Sequence, residues 1–169
     1  DGLNNCTDRN APCATLQHAV SVANPDEGVR VAAGIYTGTQ MVMDSRGYTY
    51  TQVVFVDKSL TLRGGYTVED WETSDPIANP TIIDAEGQGR GISIVGAGSQ
   101  LVTVDGFTIT DGDYTDLGNP PGVANRVCRS TGGDCGGGFY AYNSAVALRN
   151  SVISENVASS NFGEGGGIY

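Results

Sequence analysis

The chain has 169 residues, of which 25 are glycine, and only 17% of its residues are charged. Its formal net charge of -10 argues against nucleic acid as a partner, since an acidic surface repels phosphate. The sequence has no run of about 18 apolar residues that could span a bilayer. Its short, alternating apolar runs exclude a flexible glycine-rich linker.

The four cysteines fall into two local pairs, Cys6/Cys13 and Cys128/Cys135, each with the spacing C-x6-C. Four cysteines allow three connectivities, and we predict the local one because each pair brackets a loop rich in Gly, Asn and Asp. Such a bridge contributes about 2.5 kcal/mol in the chain-entropy model. The alternative is a zinc site formed by all four thiolates. Disulfides would place the protein outside the cytoplasm, secreted or at a cell surface.

Residues 14–24 carry a helical pattern. The apolar stripe at i, i+3, i+4 and i+7 consists of Leu16, Ala19, Val20 and Ala23. Asn24-Pro25 ends the pattern, because the residue before proline disfavours helix. This short amphipathic helix must lie against something larger. His18, the only histidine, is on its polar side and lacks the partner that a catalytic triad needs.

From residue 29 onward, short runs rich in Val, Ile, Thr, Phe and Tyr alternate with glycine-containing bends, which indicates β-strands. The predicted strands cover 29–36, 52–56, 59–66, 80–87, 91–96, 100–112, 137–142, 145–157 and 165–169. Since no helices alternate with these strands, a doubly wound α/β sheet is excluded.

The pattern of strand and bend repeats along the chain. VVFVDKSLTLRGG, ISIVGAGSQLVTVDGFTIT and FYAYNSAVALRNSVIS share one register, and GGGFY at 136–140 recurs as GGGIY at 165–169. This self-similarity is typical of a solenoid and predicts a parallel β-helix. An antiparallel β-sandwich would instead need hairpin turns between its strands. The predicted inward residues are Leu60, Leu62, Val102, Val104, Phe107, Ile109, Val146, Leu148 and Ile153.

The stretch PCATLQHAVSVANPDEGVRVAAGIYTG, at 12–38, resembles the start of many secreted bacterial proteins of the pectin-lyase-like superfamily. In those proteins a Cys-bearing loop leads to an amphipathic capping helix, and a strand ending in a Gly-x-Tyr turn follows. The resemblance implies an all-β fold, a right-handed parallel β-helix (solenoid) with an N-terminal amphipathic capping helix. The superfamily holds lyases, hydrolases, adhesins and inert scaffolds, so the resemblance implies no single function.

This interpretation divides the chain into an N-terminal cap over 1–28 and β-helix coils over 29–169, with a loop inserted at about 113–135. The helix would cover the first coil and protect its edge strands. No cap follows Tyr169. The chain is therefore expected to be a C-terminally truncated piece of a longer β-helix that self-associates through its open end.

A charge ladder is predicted on the outer face, because Arg63, Asp105 and Arg149 occupy equivalent positions in successive repeats. Stacked strands lie about 4.8 Å apart, and alternating charges at that spacing favour one another. A lyase face would need further carboxylates around a basic residue. We therefore interpret the column as structural and predict no catalytic residue within this chain.

Two weaker candidate sites lie in loops. Asp111, Asp113 and Asp116 could supply oxygen ligands to Ca²⁺, although a solvated acidic loop is the simpler interpretation. No other cofactor is expected. Candidate ligand contacts are Trp71, Tyr114, Arg126 and Arg129. A lone tryptophan can stack on a sugar, but more often packs a loop onto the strands beneath it.

Together these features predict a non-catalytic, secreted or cell-surface scaffold for carbohydrate binding or adhesion, with a polysaccharide or a cell-envelope protein as partner. One alternative is the N-terminal part of a polysaccharide lyase or hydrolase whose active face lies beyond residue 169. Another is an architectural capping and assembly unit of a surface fibre.

Overall fold

The computed structural model describes residues 1–44, 47–117, 134–160 and 163–169. Within them the chain forms one α-helix and twelve β-strands. These elements are α1 Leu16–Val22, β1 Gly28–Ala32, β2 Gly34–Tyr36, β3 Gln40–Met43, β4 Thr49–Val56, β5 Thr61–Tyr66, β6 Thr81–Asp84, β7 Arg90–Asp105, β8 Phe107–Thr110, β9 Asp134–Cys135, β10 Phe139–Arg149, β11 Val152–Ile153 and β12 Gly163–Glu164.

Helix α1 lies within the predicted range 14–24. It begins after Thr15, whose side chain accepts a hydrogen bond from the His18 amide at 3.3 Å, as an N-cap residue does. Gln17 fixes the helix to β4: its Oε1 accepts from the Phe55 amide at 2.6 Å, and its Nε2 donates to the Phe55 carbonyl at 3.2 Å. No helix in the described part of the chain is long and apolar enough to cross a membrane.

The largest sheet has the order β1-β5-β7-β4-β3, with β10 also paired to β7. Strand β7 is its centre, because its first half pairs with β4, its second half with β5, and most of its length with β10. These pairs are all parallel. The edge strand β3 instead runs antiparallel to β4, so the sheet is mixed.

The remaining strands form two smaller sheets. One has four parallel strands in the order β11-β8-β6-β2, and the other pairs β12 with β9. The repeated GGG segments lie against each other: the Gly138 amide donates to the Gly166 carbonyl at 3.0 Å, and Phe139 to Gly167 at 2.8 Å. The repeat thus correctly predicted which segments become neighbours.

The prediction of a right-handed parallel β-helix is wrong. The described residues form sheets of six, four and two strands with no regular solenoid, and the strands range from two residues in β9 to 16 in β7. Strand β3, which no repeat predicted, adds an antiparallel pair. A period-2 apolar pattern is the same for parallel and antiparallel neighbours, so the pattern could not show how the strands combine into sheets.

The core lies between the two larger sheets and helix α1. The predicted inward residues that are fully buried there are Leu60, Leu62, Val102, Val104, Phe107 and Ile109. Val146, Leu148 and Ile153 pack against this core but are only partly buried. The predicted core is therefore confirmed, and the core side chains are less buried in β10 and β11 than in the other strands.

A second, aromatic cluster surrounds Arg90, which is fully buried. Its guanidinium lies between two rings, with Cζ at 3.2 Å from the centroid of Tyr114 and 4.4 Å from that of Tyr140. Nε donates to the carbonyls of Cys135 and Gly136 at 3.0 and 2.9 Å, and Nη2 donates to Cys135 at 2.7 Å. Desolvation lowers the pKa of Arg90 and raises that of the Tyr140 hydroxyl. Arg90 thus connects β7 to the backbone around β9 through hydrogen bonds.

Replacing Arg90 with methionine tests this interaction. Arg90→Met keeps much of the side-chain volume but leaves the carbonyls of Cys135 and Gly136 without these donors, so we expect the free energy of unfolding to fall by about 2–4 kcal/mol. Arg149→Met is the matched control, because it removes an exposed guanidinium and should change stability by less than about 0.5 kcal/mol. Urea denaturation measures both. Equal effects of the two substitutions would contradict the proposed role of Arg90.

Candidate functional site

The N-terminal loop is closed by the Cys6–Cys13 disulfide, which confirms the first predicted pair. Cys128 lies outside the described residues, so the Cys128–Cys135 pair stays a prediction. The loop is also held by Asp1, whose carboxylate accepts from the Ala14 amide at 2.6 Å. These contacts place the loop beside helix α1.

A cleft of about 500 Å³ lies between this loop, helix α1, strand β1 and the segment that carries Trp71. Its lining includes a ring hydroxyl, an indole, two guanidinium groups, a carboxylate and a hydroxyl. The corresponding residues are Tyr36, Trp71, Arg9, Arg30, Glu27 and Thr15. This combination of flat apolar rings with charged hydrogen-bonding groups can bind a polar ligand that also has an apolar face.

Trp71 and Arg30 form a platform at the cleft. The indole stacks on the ring of Tyr66, with centroids 6.4 Å apart and an interplanar angle of 28°. The guanidinium of Arg30 lies over the same Tyr66 ring, with Cζ 5.7 Å from its centroid. Arg30 also donates to the Trp71 carbonyl. The indole N–H of Trp71 is buried and has no hydrogen-bond partner in the described structure.

Glu72 links the cleft walls. Its carboxylate contacts Arg30 at 3.2 Å and Arg9 of the N-terminal loop at 3.6 Å. Both pairs are largely exposed, so each contributes little to stability. Their consequence is geometric, because they connect Arg9 of the N-terminal loop to Arg30 of strand β1 through one carboxylate.

Asp70 shapes the turn that presents Trp71. Its Oδ1 accepts from the amides of Glu72 and Thr73 at 2.8 and 3.2 Å. These hydrogen bonds to the charged carboxylate lower the pKa of Asp70 below its ordinary value of 3.8. The turn is thus stabilised by the ionised form of Asp70.

An arginine row continues from this platform across the large sheet. Arg30 pairs with Arg63, Arg63 with Asp105, and Asp105 with Arg149, on the adjacent strands β1, β5, β7 and β10. The register of the predicted ladder Arg63, Asp105 and Arg149 is therefore confirmed. Arg30 extends it by one strand. Sequence analysis missed Arg30, although it follows Val29 as Arg63 follows Leu62, the residue paired with Val29.

The charges in the row are unbalanced. Nε of Arg63 contacts Oδ2 of Asp105 at 3.2 Å. The side-chain amide of Asn150 donates to Oδ1 of Asp105 at 2.7 Å. One carboxylate within the row thus accompanies three guanidinium groups, those of Arg30, Arg63 and Arg149. Adjacent strands are about 4.8 Å apart, so Arg63 and Arg149, on either side of Asp105, are separated by roughly 10 Å.

The other predicted contact residues do not join this site. Tyr114 is fully buried against Arg90, so it is not a surface contact. Arg126 and Arg129 lie outside the described residues. At the ends of the predicted inserted loop 113–135, Asp113 bridges to Val157 and residues 134–135 form β9.

The predicted calcium ligands serve local turns. Asp113 accepts from the Thr115 amide at 2.9 Å, the Asp111 carboxylate accepts from Thr110, and the Asp116 amide donates to Asp134 at 2.9 Å. Within the described residues, Asp111, Asp113 and Asp116 do not form a group that could hold a metal ion. Calcium binding at this loop stays a prediction.

No protein-family model matches the chain, and comparisons with curated proteins and with solved structures give no match. They therefore do not identify the pectin-lyase-like superfamily.

The role of Asp70 can be tested through Trp71, the only tryptophan. Because the pKa of Asp70 is lowered in the folded chain, its stabilising effect is present at neutral pH and is lost as the pH falls through that lowered pKa. We expect Trp71 fluorescence to change in this acid range. Asp70→Ala should show the altered fluorescence already at pH 7, whereas Glu69→Ala, in the same turn, should match the wild type. Identical acid titrations of the wild type and Asp70→Ala would contradict this assignment.

Proposed function

We propose that this chain is a non-catalytic carbohydrate-binding module that works outside the cytoplasm, in a secreted or cell-surface protein. The observation that carries the proposal is the platform of Trp71 and Arg30 beside the cleft, from which the arginine row continues. The Cys6–Cys13 disulfide supports the oxidising location.

The chemistry of the cleft suits sugars. The C–H face of a pyranose ring is apolar and can stack on the part of the indole that remains exposed, while its hydroxyls bond to charged side chains. The buried N–H of Trp71, which lacks a partner in the described structure, could donate to such a hydroxyl after a small movement. Arg30 and Glu72 supply further donors and acceptors.

The arginine row favours a glycan that carries carboxylates. Guanidinium groups bind carboxylates through two parallel hydrogen bonds. Arg63 and Arg149 lie on the same outward face as Arg30, so an extended acidic chain could follow the row after leaving the cleft. A neutral glycan would use only the platform.

Retention on immobilised acidic and neutral polysaccharides tests the proposal. We expect retention on an acidic polymer, and we expect Trp71→Ala to weaken it by about 30-fold, as for an aromatic residue that dominates an interface. Arg63→Ala and Arg149→Ala should each weaken it by about 2- to 5-fold, as for exposed charge pairs.

Lys58→Ala is the matched control, because Lys58 binds the carbonyl of Ala23 at the end of helix α1 and lies outside the row. It should retain wild-type affinity, and far-UV circular dichroism verifies that each variant is folded. No retention of the wild type on any polymer, or equal retention of wild type and Trp71→Ala, would overturn the proposal.

A second candidate function is self-assembly through β10. This strand of 11 residues pairs with β7 on one side. On its other side residues 139–141 pair with 167–169, where the Phe139 amide donates to the Gly167 carbonyl at 2.8 Å and the Ala141 amide to the Tyr169 carbonyl at 2.9 Å. Within the described part of the chain, no strand pairs with residues 143–149 on that side. Val146 and Leu148 are only partly buried although they extend the core. Unpaired backbone beside apolar side chains favours the addition of a strand from a second copy.

Sedimentation velocity over a range of protein concentrations tests self-assembly. We expect the sedimentation coefficient to rise with concentration and to change little with added salt, since the contact is apolar and main-chain. A monomer at high concentration would contradict this function and would leave carbohydrate binding unaffected.

A further inference from the structure

A group of potential metal ligands lies at the base of the N-terminal loop. The ligand atoms of Cys6, Cys13 and His18 are all within 4.8 Å of one another, and this is the one such group in the described part of the chain. The two sulfur atoms are joined as a disulfide. While that bond is intact, neither sulfur is the thiolate that a metal requires.

We propose that reduction of the Cys6–Cys13 bond converts this group into a binding site for Zn²⁺, a function separate from carbohydrate binding. A phosphine supplies two electrons and becomes a phosphine oxide, taking the oxygen of one water molecule, whose two protons complete the two thiols. A dithiol instead gives up its own two hydrogens by exchange and becomes a cyclic disulfide. Zn²⁺ then displaces both thiol protons, and the two thiolates balance its charge. Imidazole nitrogen is the third ligand, in a combination that Zn²⁺ favours.

The backbone carbonyl of Asn4 lies close to both His18 and Cys13. Nε2 of His18 lies 2.6 Å from the Asn4 carbonyl oxygen, and the sulfur of Cys13 lies 3.9 Å from the same oxygen. This carbonyl, or a water molecule, can complete four-coordinate zinc. Binding requires the coordinating nitrogen of His18 to lose its hydrogen, which neutral imidazole can carry on the other ring nitrogen.

The loop has other contacts that keep the two thiols close after reduction. The Asp1 carboxylate accepts from the amides of Ala14 and Thr15 at 2.6 and 3.1 Å. The Asn4 side chain donates to the Ala11 carbonyl at 3.0 Å. These hydrogen bonds connect residues before Cys6 with residues 11–15 and do not involve the sulfur atoms. All three ligand residues are partly exposed, so both a reductant and a metal can reach them.

Cobalt(II) is the probe, because tetrahedral cobalt thiolates absorb in the near-ultraviolet and visible ranges. The full chain is reduced with a phosphine, separated from the reductant without oxygen, and titrated with Co²⁺ and then with Zn²⁺. We expect one cobalt per chain with thiolate charge-transfer bands, displacement by Zn²⁺, and protection of two thiols from alkylation. The oxidised chain should show no such bands.

Two variants separate this site from others. Cys6→Ser/Cys13→Ser keeps His18 and the second cysteine pair, Cys128 and Cys135, so any cobalt that it binds is held by that second pair. We expect the thiolate bands that arise from Cys6 and Cys13 to disappear in this variant. His18→Gln should weaken binding by at least about tenfold, since even the loss of an outer-shell partner costs that much.

Circular dichroism of the reduced proteins verifies folding in every case. No thiolate bands in the reduced wild type would overturn the proposal. Equal binding by Cys6→Ser/Cys13→Ser would do the same, because the metal would then be held by the other pair. Unchanged affinity in His18→Gln would exclude the three-ligand site. None of these outcomes bears on retention by polysaccharides.

Discussion

The register between β5, β7 and β10 is the constraint on which both the core and the outer face depend. Leu62, Val104 and Leu148 are neighbours across these strands and point inward. The next residue of each strand, respectively Arg63, Asp105 and Arg149, must then point outward, because side chains alternate along a strand. A slip by one residue would turn the exposed guanidinium groups of Arg63 and Arg149 towards the core and the side chains of Leu62, Val104 and Leu148 away from it. Asp105 is already buried, where Arg63 and Asn150 contact its carboxylate. Burial of the core therefore fixes the position of the arginine row.

The cleft depends on this sheet through Arg30. Strand β1 takes its register from β5, so that Arg30 lies beside Arg63. From there its guanidinium reaches the Tyr66 ring, the Trp71 carbonyl and the Glu72 carboxylate. One side chain therefore joins the row, the aromatic platform and the turn set by Asp70. Trp71 lies in a loop, but the platform is connected to a paired strand through Arg30.

Much of the local structure could be predicted from the sequence. The apolar periodicity indicates which side chains are buried. It predicts helix α1, most of the strands and the inward residues, and the repeat predicts that the two GGG segments are neighbours. The way the strands combine into sheets could not be predicted. A period-2 pattern does not distinguish the separate sheets, the antiparallel strand β3 or the continuous strand β7 from other arrangements. The site was predicted only in parts, since Trp71 was named without Arg30. Tyr114 was misplaced because its burial depends on Arg90, which is distant in sequence.

The distribution of charge matters more for binding than the net charge of -10. Among the six lysine and arginine residues in the described part of the chain, four lie along the cleft and the row: Arg9, Arg30, Arg63 and Arg149. Salt screens the field of the distant carboxylates beyond about 8 Å at physiological ionic strength. Within that distance of the row lie the carboxylates of Glu72 and Asp105 as well as the guanidinium groups. A carboxylate bound there therefore responds to this local set of charges and not to the net charge of the chain. For the proposed acidic glycan, the charges along the row are thus more important than the net charge of the chain.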